Sequence, residues 1–177
     1  MAGGVSQKTR RLTACAVLCG LNLVIMYFGS IIEVLDLTAA VLASLACIFA
    51  VIEMGGSWPW LIYAVTSVLS LVMLPAPKTV ALIYIAFSGY YVILKAWIER
   101  LRRPLSWTVK LILFNVALTV LVVLTTWIFH IPDGLFEANV FVYLLGNVTF
   151  VVYDIALTGL ITTYLRVWRR RLRIRFR

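Results

Sequence analysis

Charge is scarce in this chain. Only 13% of its 177 residues are Asp, Glu, Lys or Arg, while 63% are hydrophobic and the mean hydropathy is +1.03. A soluble domain carries about a quarter charged residues. The balance therefore excludes a soluble fold and leaves an integral membrane protein. Histidine is nearly absent: His130 stands alone, beside Pro132, with Asp133 as its nearest carboxylate. One imidazole and scattered acids exclude a metalloenzyme or acyl-transfer site. No Gly-x-Ser-x-Gly, His-Glu-x-x-His or phosphate-cradling glycine loop occurs, so no catalytic residue, cofactor or metal ligand is assigned and no enzymatic activity is expected. Ser88, in Phe-Ser-Gly, lies inside an apolar run with no histidine close by. The cysteines Cys15, Cys19 and Cys47 all fall in apolar runs without a Cys-x-x-Cys, and read as small packing residues.

What the chain has in excess is positive charge, sixteen Lys and Arg against seven Asp and Glu. These cluster beside the ends of apolar runs, where positive-inside asymmetry and anionic lipid account for them, so nucleic acid is not an expected partner. The opening apolar run is too long for the h-region of a cleavable signal. Six apolar runs can be drawn, at 12–32, 37–52, 60–74, 79–94, 107–129 and 138–165. Inside lipid each must satisfy its own backbone, which predicts helices.

The expected fold is therefore an all-α, six-transmembrane-helix bundle, with a polar lead at 1–11, a membrane domain at 12–165 and a basic tail at 166–177. Charge sets the orientation. Lys95, Arg100, Arg102, Arg103 and Lys110 flank the turn at Pro104, and seven arginines fill the tail. With the N-terminus inside, fifteen of the sixteen basic residues face the cytoplasm and Lys78 alone faces out. Both termini are then cytoplasmic, in a multi-pass protein of the bacterial cytoplasmic membrane.

Polar residues at depth are costly and point to function. Helical rise places Asn22, Ser88, Asn115 and Asp154 near mid-bilayer, with Asn115 and Asn22 as the available donors to the Asp154 carboxylate. A structural knot, a ligand or gating role, and proton coupling all remain open there. At the inner face the topology collects Glu53, Lys95, Glu99 and Lys110, either as interfacial salt bridges or as a docking surface. The outer half holds Tyr84, Tyr143 and Asn147, which serve a lipid-facing aromatic belt or a pocket for a small organic ligand. Ala16-x-x-x-Gly20, and Ala39-x-x-x-Ala43 in the second run, permit close helix approach, either within the bundle or with a partner.

The basic start of the first run, Ala16-x-x-x-Gly20, and the stretch Tyr84-Ile-Ala-Phe-Ser-Gly-Tyr-Tyr-Val-Ile-Leu-Lys95-x-x-x-Glu99 with Trp107-x-x-Lys110-x-x-x-Phe-Asn115 carry a resemblance. With the six-helix layout, the chain length and the cytoplasmic termini, the first two resemble the S components, the substrate-binding membrane subunits of energy-coupling factor (ECF) vitamin transporters; the longer stretch is similar to a group of bacterial membrane proteins with an S-component-like layout. The resemblance implies an outer-facing pocket for a small-molecule ligand, with Tyr84, Asn115, Tyr143, Asn147 and Asp154 as ligand-binding candidates. It also implies a transmembrane coupling subunit docking at Ala16, Gly20, Ala39 and Ala43, driven by two ATP-binding subunits. The cell-shape protein MreD resembles the same fold without transport, which keeps a membrane scaffold of an envelope-synthesis complex as the alternative.

Overall fold

A computed structural model describes residues 2–32, 35–75, 78–100, 102–124 and 140–168. The expected turn at His130 and the tail arginines from Arg169 onward lie outside the described residues, as does Ala138. All regular structure among the described residues is helical, in six helices: α1 Ala2–Ile31, α2 Asp36–Glu53, α3 Trp58–Met73, α4 Thr79–Ile98, α5 Arg103–Val123 and α6 from Val140. Helix α6 is α-helical over Val140–Thr163 and continues through a π-helical turn, Tyr164–Trp168.

Five of the six are long and apolar enough to cross a membrane, and the protein is a multi-pass helical membrane protein on that ground. Helix α3 is apolar but has 16 residues. At the helical rise it covers about 24 Å, short of the roughly 30 Å of a typical hydrocarbon core. Residues 2–11, read as the polar lead, form the first turns of α1. Gln7, Lys8, Arg10 and Arg11 are good helix formers, and extending an existing helix avoids the cost of nucleation.

The helices form two compact units, α1–α4 within residues 1–101 and α5–α6 within residues 102–175. In the first unit α1 and α2 make a hairpin at very short range. A Cβ built on Gly29 would overlap the Ala39 side chain, so glycine is required for that approach. Gly55 and Gly56, both with φ near +60°, then reverse the chain before Pro59 opens α3. The Lys78 ammonium donates to the Leu71 carbonyl in the last turn of α3, which places a cation at the negative end of the helix dipole.

Helix α4 contains a π-helical turn, Tyr84–Ser88. Such a turn displaces the usual hydrogen-bond ladder and leaves carbonyls in need of other donors. The Tyr63 hydroxyl donates to the Ile85 carbonyl at 2.9 Å, and the Ser88 hydroxyl points at Ile83 O at 3.5 Å. Gly89 makes room for this: a Cβ there would stand 2.6 Å from the Tyr63 ring.

Candidate functional site

The second unit is joined by matched pairs across its two helices. On α5, Lys110, Phe114 and Leu118 form one row at four-residue spacing, and Asn115 and Thr119 form the row beside it. Residues four apart share a helix face, so each row meets a complementary row on α6. Lys110 Nζ donates to Asp154 Oδ2 at 2.7 Å, with the two side chains 5% and 3% exposed. The Phe114 and Phe150 rings stack at 4.7 Å with 12° between planes. Leu118 fits over Gly146, where a Cβ would come within 3.1 Å of it.

In the neighbouring row the Asn115 and Asn147 amides exchange two hydrogen bonds, at 3.0 and 3.1 Å. Each amide also caps a carbonyl of its own helix, Leu111 O at 2.8 Å and Tyr143 O at 2.7 Å. Thr119 and Tyr143 meet through their hydroxyls at 3.0 Å. Partners fall in number on α6 as they rise on α5, which makes the pair antiparallel.

Asp154 therefore has a donor the sequence reading did not name. Asn115 and Asn22 are the expected donors; Lys110, grouped by charge with the inner-face residues, reaches the carboxylate, while the Asn115 amide bonds Asn147 and Leu111 O. Its four-carbon stem lets the ammonium travel well away from its own Cα. The face of Trp107, with Lys110 Nζ 5.4 Å from its centroid, supplies further stabilisation of the cation.

The first unit is organised differently. Cys15, Cys19, Asn22 and Met26 lie on one buried face of α1. Cys15 Sγ approaches Met54 Sδ at 3.7 Å, and the Cys19 thiol points at Ile62 O at 3.8 Å. The Gly29–Ala39 approach makes α2 antiparallel to α1, and the Gly55–Gly56 turn reverses the chain again, so α1 and α3 run parallel. Thr66, one turn beyond Ile62, lies beside Cys19 and Tyr84. Tyr84, expected to face a ligand, is fully buried, with its hydroxyl 3.3 Å from Cys47 Sγ. Asn22 is 0% exposed and neither amide atom has a hydrogen-bond partner among the described residues; the Thr66 hydroxyl also meets none at bonding geometry.

The remaining candidates divide between the units. Lys95 and Glu99 form an i,i+4 ion pair at 3.2 Å in the first unit, and Glu53 is buried at the end of α2. Ala39 and Ala43 are buried inside the same unit, where Ala39 is the residue that closes on Gly29. Ala16 and Gly20 lie on the exposed face of α1, and nothing stands within 4 Å of a Cβ built on Gly20. An open groove of about 480 Å³ runs along α5, with Asn115 and Thr119 among its lining residues. The three cysteines are free thiols, and the described residues hold no group of three or more His, Cys, Asp or Glu placed to bind a metal ion.

These features define the class, a polytopic helical membrane protein with buried polar layers. No protein-family model, curated protein or solved structure matches the chain.

Proposed function

We propose that the chain is the substrate-binding subunit of an ECF-type importer in a bacterial cytoplasmic membrane. In this reading it crosses the membrane six times, with both termini inside, and captures a small organic micronutrient at the outer face. A transmembrane coupling subunit docks on α1, and two ATP-binding subunits supply the energy. A separate energy source is needed because the chain carries no phosphate-cradling loop.

One observation carries the reading. Of the small-residue pairs singled out in the sequence, Ala39 and Ala43 are consumed by packing inside the chain, while Ala16 and Gly20 stay exposed. In lipid, where apolar surface gains nothing by leaving the hydrocarbon, small residues favour association by letting backbones come close. A bare Ala16–Gly20 face suits a helix of the coupling subunit. The test is co-purification: Ala16→Trp and Gly20→Trp are expected to release the ATP-binding module while the protein stays folded. Retention of the module by both variants would refute the docking site.

A second reading, a scaffold of an envelope-synthesis complex, is favoured by the pairing of the expected ligand-binding residues with other side chains. Asn115 is bound to Asn147, Tyr143 to Thr119, Asp154 to Lys110 and Tyr84 to Cys47. A ligand would have to displace those contacts. Native mass spectrometry of the purified protein separates the two: a small molecule that co-purifies supports capture, and envelope-synthesis subunits without one support the scaffold.

A further inference from the structure

Asn22 sits in the interior of the first unit with two donor hydrogens and an acceptor oxygen unmatched by any described residue. An amide taken out of water with no replacement partner is strongly disfavoured. Unlike Asn115 and Asn147, whose amides also bond a carbonyl one turn back in their own helix, Asn22 finds no such carbonyl among the described residues. With α1 parallel to α3 and Cys19 facing both Ile62 O and the Thr66 side chain, Asn22, one turn on, comes to the level of Thr66, whose hydroxyl lies beside Cys19 and Tyr84 but meets no partner at bonding geometry. From the contact of Gly29 with Ala39, seven residues back along α1 and seven forward along α2 set Ala46 opposite Asn22. Ala46 is buried, and its methyl leaves more room than a larger side chain would. An ordered water needs two to four polar partners and a space near its own size.

We propose that the Asn22–Thr66 layer is a binding site for ordered water inside the membrane-embedded core. The water donates to Asn22 Oδ1, accepts from Asn22 Nδ2 and exchanges a hydrogen bond with the Thr66 hydroxyl. Cys19 and Met26, one turn to either side of Asn22 on the same buried face, flank it.

The site is tested by radiolytic footprinting of the full-length protein in detergent. Brief X-ray pulses split water into hydroxyl radicals, which oxidise the nearest side chains, and sulfur reacts fastest. Cys19 and Met26 are both buried, so they report internal solvent. The expected result is clear oxidation of both in the wild-type protein, with the label taken from isotopically heavy water. The signal should fall to background in Asn22→Leu and weaken in Thr66→Val, a variant of nearly unchanged shape. Wild-type Cys19 and Met26 remaining at background would overturn the proposal, even if Asn22→Leu did not fold. So would labels that are unchanged in Thr66→Val and, where it folds, in Asn22→Leu.

Discussion

The two units solve the same problem by different means. Helices α5 and α6 pair polar group with polar group: ammonium with carboxylate, amide with amide, hydroxyl with hydroxyl. Helices α1 to α4 rely on close approach, with Gly29 against Ala39 and Gly89 under the Tyr63 ring, and leave an amide unmatched in the middle. Apolar side chains gain little by exchanging lipid for protein, so association must come from hydrogen bonds or from tight contact. Each unit leans mainly on one of these. Substitutions that strike at chemistry should therefore hurt the second unit most, and substitutions that add bulk should hurt the first.

The strongest expected effect is at the salt bridge. Removing one partner of a buried ion pair leaves an uncompensated charge, which costs about 3–5 kcal/mol. Asp154→Ala and Lys110→Met should each lower the unfolding midpoint sharply in detergent. Lys110→Met combined with Asp154→Leu should recover most of the loss, and failure to recover would mean that the pair has a role beyond neutralising its own charges.

Bulk comes next. Gly29→Leu forces a side chain into Ala39, and overpacking of this kind costs about 1–3 kcal/mol. Gly20→Leu is the matched control, expected to melt like the wild type because its Cβ position is open. Equal losses at both positions would erase the distinction between the inner and outer faces of α1.

The amide pair is worth less. Interhelical hydrogen bonds in membranes average about 0.6 kcal/mol, with about 1.7 at the upper end. Asn115→Leu should therefore shift the midpoint slightly, and adding Asn147→Leu should return part of it. The smallest effect belongs to Glu99→Gln. Glu99 is 41% exposed, so its pair with Lys95 contributes about 0.3–0.5 kcal/mol, near the limit of a thermal melt.

Much of this architecture can be read from hydropathy, because a helix is the one unclosed structure that satisfies its own backbone in lipid. The short third run, expected at 60–74, is observed as the 16-residue α3. The pairings could not be read. Asn115, Tyr143, Asn147 and Asp154 each stand out as polar residues in apolar surroundings, but which meets which depends on the register of α5 against α6. Charge counting groups Lys110 with the inner-face residues, but does not show that its long stem carries the ammonium to Asp154. Ala16-x-x-x-Gly20 and Ala39-x-x-x-Ala43 are the same pattern with opposite outcomes, one outside and one inside, and nothing local separates them. The π turn at Tyr84–Ser88 has no signal that we find in its own residues. It becomes intelligible only with Tyr63 lying across Gly89.

The division after Leu101 has a practical corollary. Among the described residues four helices precede it and two follow, so each portion begins and ends on one side if every helix crosses. Severing the gene there would hand the insertion machinery two self-contained hairpin sets, neither requiring the other to fix its direction. Two polypeptides made in the same cell should then each integrate correctly, and a tag, reporter or protease site placed at that junction should leave insertion undisturbed.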